Sequence, residues 1–134
     1  MIIGLFVDVN NLYFGLQATY KRKLSYEKYY REVIGDDVMF RAVAYGIGEA
    51  VGFQTCLKYC GFEVCYKKRG DWNVQICCDV LSCIGKVDKV VLGSDDPNLY
   101  ALREAGGDKI LSFAAREYSG YESVVIDESL LLDG

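Results

Sequence analysis

The sequence predicts an α/β protein with a mainly parallel central sheet. Three observations point there. Short apolar runs recur along the chain. Amphipathic stretches with helix-capping residues separate them. The apolar share is 51% and the charged share 25%, ordinary values for a packed globular chain. Strands that alternate with helices are joined by crossovers, and crossovers make parallel neighbours.

The elements follow in order. Residues 2–7, Ile-Ile-Gly-Leu-Phe-Val, are continuously apolar, as a central strand buried on both faces should be, and Asp8 closes the run. A loop and a short helix are expected through residues 11–16. Ser25 suits an N-cap for a helix over 25–34, which Gly35 ends. Residues 38–45 read as the second strand. Over 47–60, Ala50, Phe53, Leu57 and Cys60 recur at three- and four-residue spacing, which is helical, and Gly61 stops the helix. The third strand is expected at 62–66, and Asp71 then caps a helix over 72–84 that ends at Gly85. Residues 89–92 form the fourth strand. Asp96 caps a helix opened by Pro97, which runs to Ala105 and stops at Gly106-Gly107. Residues 109–112 and 123–126 are the last strands, around a short helix. With no linker or repeat between them, residues 1–134 read as a single domain.

Net charge is -4 and the pI is near 4.8, which argues against a broad DNA-binding surface. The positive charge is concentrated in Lys21-Arg22-Lys23 and Lys67-Lys68-Arg69; such runs are expected as solvated loop faces. The absence of histidine removes a His-based triad and every His-containing metal site. Cys56, Cys60, Cys65, Cys77, Cys78 and Cys83 contain no Cys-x-x-Cys pair and read as buried small hydrophobes in a reducing compartment. No run approaches the length of a membrane span, and the N-terminus reads as a strand rather than a signal peptide, so a cytoplasmic location is expected.

Ligands of open α/β sheets bind at the carboxyl ends of the strands. Asp8 follows the first strand, and Asp95 and Asp96 follow the fourth. The third leads to Asp71 and on to Asp79, which sits on an otherwise apolar helix. A carboxylate there is costly to bury unless it is paired or bound to a cation. Carboxylates converging at one edge repel, and a hard divalent cation relieves this. Plainer roles compete. Asp71 and Asp96 are good N-caps, and Asn11 suits a turn. Asp8 has the weakest plain role, because Asn10 and Asn11 already supply turn chemistry.

Phe6-Val7-Asp8-Val9-Asn10-Asn11-Leu12-Tyr13 resembles the opening Asp-x-x-Asn-Leu motif of NYN domains, in particular the LabA-like branch of the PIN-like ribonuclease superfamily. The likeness continues through Arg41-Ala42-Val43-Ala44-Tyr45, Gly61-Phe62-Glu63-Val64, Lys68-Arg69-Gly70-Asp71-Trp72-Asn73-Val74 and Gly93-Ser94-Asp95-Asp96-Pro97-Asn98. It implies a three-layer Rossmann-like, PIN-like fold with helices on both sides of the sheet. It also implies an acidic pocket holding Mg2+ or Mn2+, and hydrolysis of phosphodiester bonds in single-stranded RNA. By position, Asp8, Asn11, Asp79 and Asp96 would be catalytic, with Asp8, Asp79, Asp96, Asn73 and Asn98 around the metal, Asp79 as a ligand or as the holder of a metal-bound water. Lys67, Lys68 and Arg69 would meet the RNA backbone, and Trp72 would stack on a base unless it simply packs over the helix start.

Asn73 and Asn98 stand where the family usually has aspartates, and Asp95 and Pro97 also depart from its pattern. An asparagine keeps one oxygen ligand and loses the charge, which weakens cation binding and activation of water. The resemblance therefore leaves an alternative, a catalytically weakened or inactive RNA- or protein-binding module. Eleven tyrosines could serve an interface, and self-association stays open. A phosphatase of the haloacid dehalogenase type would need an aspartate where Asn10 stands.

Overall fold

Strands β1 (Ile2–Asp8), β2 (Val38–Tyr45), β3 (Glu63–Cys65), β4 (Lys89–Gly93), β5 (Ile110–Ala114) and β6 (Glu122–Val125) pair in the order β3-β2-β1-β4-β5-β6. Every pairing is parallel. The computed structural model describes residues 1–47, 50–65, 71–99, 101–117 and 122–133. The helices are α1 (Val9–Thr19), α2 (Tyr26–Ile34), α3 (Val51–Cys60), α4 (Trp72–Cys83) and α5 (Leu102–Gly106).

The central strand explains the layering. Side chains alternate across a strand. Ile3, Leu5 and Val7 therefore enter one core, with Leu12 and Leu16 of α1, Tyr29 and Val33 of α2, and Leu57 of α3. Phe6 enters the other, with Ile76, Val80 and Cys83 of α4 and Leu102 of α5. Both faces of the sheet are covered, as an all-parallel sheet requires.

Several expectations change. No loop separates β1 from α1: the last strand residue, Asp8, is itself the N-cap and accepts a hydrogen bond from the Asn11 amide at 3.1 Å. Asp8 therefore has the plain role that seemed weakest for it. Helix α3 starts at Val51, and Ile47 is buried ahead of it. The helix expected after Pro97 is split into a 3-10 turn at Pro97–Leu99 and the short α5. Asp96 causes this, because its side chain takes the Asn98 amide and its carbonyl takes the Leu99 amide, closing a tight three-residue turn. Of the short helix expected between β5 and β6, residues 115–117 are not helical, and 118–121 lie outside the described residues.

The cysteines are also corrected. All six are free; Cys83 alone is buried, while Cys56 and Cys78 are exposed. Cys56 precedes the buried Leu57, and one helical residue turns a side chain by about 100°, out of the core. No helix among the described residues is long and apolar enough to cross a membrane.

Candidate functional site

The chain reverses its direction of strand addition between β1 and β4, since β1 pairs with β2 on one side and β4 on the other. The crevice at such a switch point opens beyond the carboxyl ends of the two strands. Asp8 ends β1 there, and β4 delivers Ser94, Asp95 and Asp96. The two strands approach closely: a Cβ on Gly93 would lie 3.0 Å from the Val7 side chain and 3.1 Å from the Tyr29 hydroxyl. Ser112 Oγ donates to the Ser94 carbonyl at 2.9 Å, and Ser94 Oγ accepts from the Asp96 amide at 3.1 Å. The loop that carries both acids is thus held from beneath.

Four carboxylates lie along this edge, each with its own partners. Asp95 is the most firmly fixed. Its Oδ1 accepts from Asn11 Nδ2 at 3.0 Å, and Asn11 Oδ1 in return accepts the Asp95 amide at 3.1 Å. Its Oδ2 pairs with Arg116 Nε at 2.8 Å, and its side chain is only 6% exposed. Asp96 accepts from Asn98 N on Oδ1 and from Asn73 Nδ2 on Oδ2, both at 2.9 Å. Asp71, the N-cap of α4, accepts from the Asn73 amide at 2.8 Å. Asp8 has its carboxyl pushed above the usual range, first by burial and then, against backbone N–H groups that lower it, by the charges of Asp96 and Asp71. Burial, rather than like-charge crowding, is the larger cause.

Asp79 belongs to a different set of partners. It lies two turns along α4 from Trp72, about 10 Å at the helical rise per residue. Its Oδ2 accepts from the Tyr45 hydroxyl at 2.6 Å and its Oδ1 from Gln75 Nε2 at 3.1 Å, with Arg41 Nη1 at 3.8 Å. Burial and the Asp79 charge hold the Tyr45 phenol protonated far above its ordinary range. A tyrosine and an arginine thus answer the burial of this carboxylate. Arg41 is itself bound to Glu63 at 2.8 Å.

Asn73 enters the cluster through its side chain. Asn98 does so through its backbone amide, and the residue is exposed. Trp72 is half-buried and packs on Tyr45, ring centroids 6.0 Å apart. Lys67, Lys68 and Arg69 lie outside the described residues.

The sequence reading missed Arg116, Arg41 and Tyr45 as partners of the acids. A signal existed for two of them. Arg41, Val43 and Tyr45 share one face of β2 by strand alternation, which is the face that carries α4. Nothing local marks Arg116, which reaches Asp95 from beyond β5.

Among the described residues, no three carboxylates or thiolates converge as a ready ligand set. What converges is Asp8 with Asp96 and Asp71, both close enough for their charges to act on Asp8. Mg2+ is commonly held by one or two carboxylates, with substrate phosphate and water completing its octahedron. The donor set, all hard oxygens, fits one such cation.

The sequence model of one family, described as the NYN domain, matches residues 2–121. Among solved structures, a protein of unknown function from Vibrio parahaemolyticus matches with a TM-score of 0.88 at 26% identity, over 98% of this chain and 96% of the other. No curated protein matches the chain.

Proposed function

The chain belongs to the NYN domain family, and from that premise we propose that it is a metal-dependent ribonuclease of the PIN-like type, of the LabA-like branch, folded as one domain. The observation that carries the reading is the pairing of Asp8 and Asp96 across the switch point, where the Asp96 charge helps to raise the Asp8 carboxyl above its ordinary range, after burial. A PIN-like nuclease site needs negative oxygen ligands at this place.

Asp8 and Asp96 would hold a Mg2+ or Mn2+ ion together with a phosphate of the RNA. When bound, that ion supplies charge stabilisation to the phosphorus centre and activation of water. The chain's own residues do the rest. Asn11 ties the β4 loop to the start of α1, so that Asp8 and Asp96 keep a fixed separation. Arg116 neutralises Asp95 and leaves the two ligands to face the cation. Lys67, Lys68 and Arg69 would contact the RNA backbone, and Trp72 would border its path. Asp79 would act at one remove, holding Tyr45 and with it the packing of α4 on β2.

A second reading has its own observation. Asn73 donates a hydrogen bond to Asp96 where the family has an acid, so one carboxylate oxygen of the pocket has a partner without any cation. That favours a binding module on a nuclease fold. Cleavage of a single-stranded RNA, with Mn2+ and with chelator, separates the two. The ribonuclease reading expects Mn2+-dependent products that disappear in Asp8→Asn. RNA binding without cleavage under both conditions would replace it with the second reading.

A further inference from the structure

Beside the acidic pocket lies a cavity of about 440 Å³ with no assigned role. Its volume is in the range of small-ligand sites, roughly 300–1,000 Å³. We propose that this cavity is a nucleobase subsite, which takes one unstacked base of an RNA strand whose phosphates run from Lys21 and Lys23 to the acidic edge. The proposal rests on the reading of the protein as one that handles RNA, and adds to it where the strand enters and what holds a base.

The lining has the chemistry of a base pocket. Tyr13, Tyr26 and Phe53 supply aromatic surface, and Asn10 an amide at the rim. Bases stack on such side chains whatever their sequence. Tyr13 is 44% exposed, so its ring is open to a ligand.

Tyr26 gives an independent observation. Among the described residues, three phenols lie deep in the protein. Tyr29 donates to the Phe113 carbonyl at 2.7 Å, and Tyr45 donates to Asp79 at 2.6 Å. Tyr26 is 9% exposed and lines the cavity, yet its hydroxyl has no hydrogen-bond partner among the described residues. Buried hydroxyls are rarely left so. A base edge entering the cavity would supply the partner.

The cavity is continuous with the acidic edge. Val9 and Asn10, which line it, directly follow Asp8. The Asp8 charge acts on the Tyr26 phenol, so the two sites are near neighbours. Gly46, also in the lining, leaves room for Trp72: a Cβ there would sit 3.0 Å from the indole Nε1 and 3.2 Å from Asn10 Nδ2.

Lys23 lines the cavity, and Lys21 and Arg22 line the hollow beside it, which shares Tyr13 and Lys23. Arg22 is engaged by the Leu132 carbonyl and Asp133. Lys21 and Lys23 are exposed and have no ion-pair partner among the described residues. Lys21 ends α1 in the left-handed region, at φ 56°, where glycine is favoured. A lysine thus stands at a position that disfavours it on conformational grounds.

The test uses a single-stranded RNA decamer with one 2-aminopurine, whose fluorescence reports unstacking and burial, together with anisotropy of an end-labelled copy. The wild type should change the 2-aminopurine signal on binding. Tyr26→Phe should weaken affinity about five- to tenfold, the loss expected for one hydrogen bond, with an unchanged or higher melting temperature. Lys21→Gly should raise the melting temperature while lowering affinity, and should reduce the salt slope by about 0.7, the value for one phosphate on a single strand. An unchanged 2-aminopurine signal in the wild type overturns the subsite. So does Tyr26→Phe binding like the wild type, or losing melting temperature in the absence of RNA. If 5′-AMP alone binds as tightly as the decamer, the occupant is a free nucleotide and the proposal fails. Mn2+-dependent cleavage is scored in the same samples. Cleavage without a base signal leaves the nuclease reading standing and the subsite fallen; a base signal without cleavage does the reverse.

Discussion

Asn73 shows how one residue sets the charge state of the pocket. Its Nδ2 sits 2.9 Å from Asp96 Oδ2, so an N–H dipole faces the carboxylate where an aspartate would place a second negative charge. Asn73→Asp should therefore destabilise the metal-free protein by roughly 1–3 kcal/mol, the cost of losing the bond and leaving like charges together. Mn2+ should recover that loss. Asn98→Asp, at an exposed residue that among the described residues bonds through its backbone, should change stability by less than about 0.5 kcal/mol. Urea titrations of the two single variants, with Mn2+ and with chelator, check both. Asp8 gives a pH prediction. Its folded pKa lies above the ordinary aspartate value of 3.8, so ionising it costs more in the folded chain than in the unfolded one. The stability it withholds at neutral pH returns as pH falls through the folded pKa toward 3.8. In chelator, Asp8→Asn should melt above the wild type at pH 7, because asparagine keeps the N-cap and carries no charge. The gap should close as pH approaches 4, by melting curves across that range. The sequence made Asp8 and Asp96 legible, since one closes the first apolar run and the other stands in the short turn after the fourth. It did not reveal that Asp8 would cap α1, because a turn of zero length leaves no loop residues to read.

At the scale of elements, α4 is held on β2 by more than its apolar face. Tyr45 and Arg41 come from one face of β2, and Asp79 meets both from α4. Trp72, packed on the same Tyr45, holds the helix start, and with it Asn73 against Asp96. Tyr45→Phe should cost roughly 1–3 kcal/mol, because it leaves a mostly buried carboxylate short of its strongest donor. The urea midpoint should fall with the slope unchanged, as the fold itself is kept. A midpoint equal to that of the wild type would show that Gln75 and Arg41 suffice. Strands and caps were readable here for a local reason. Ser25, Asp71 and Gly61 act on neighbours within a few residues, and all three cap as expected. The Tyr45–Asp79 bond spans 34 residues, and only the alternation along β2 hinted at it. The split after Pro97 was hidden for the opposite reason. Asp96 is a good cap for any helical turn, and the spacing does not say whether the turn goes on as α or as 3-10.

For the whole molecule, the order β3-β2-β1-β4-β5-β6 places the two best candidate ligands on neighbouring strands reached by different halves of the chain. Asp8 ends the strand from which β2 and β3 are added; Asp96 follows the strand from which β5 and β6 are added. Parallel order follows from the alternation of strands and helices, so the fold class was legible. Which carboxylates would meet was not, because that depends on which strands become neighbours. A cation held by Asp8 and Asp96 would cross-link the two halves of the sheet at their junction. Ligand that binds only the folded chain stabilises it by RT ln(1 + [L]/Kd), about 2.7 kcal/mol at a hundredfold excess over Kd. For a chain of this size that is a rise of several degrees in melting temperature. Asp8→Asn and Asp96→Asn should each remove most of the rise. Asp79→Asn should leave it in place, since Asp79 answers to Tyr45 and Arg41. Thermal melts in Mn2+ over a concentration series measure all three. If Asp79→Asn abolishes the rise as fully as Asp8→Asn, the cation sits deeper along α4 than the Asp8–Asp96 pair, and the two clusters form one site.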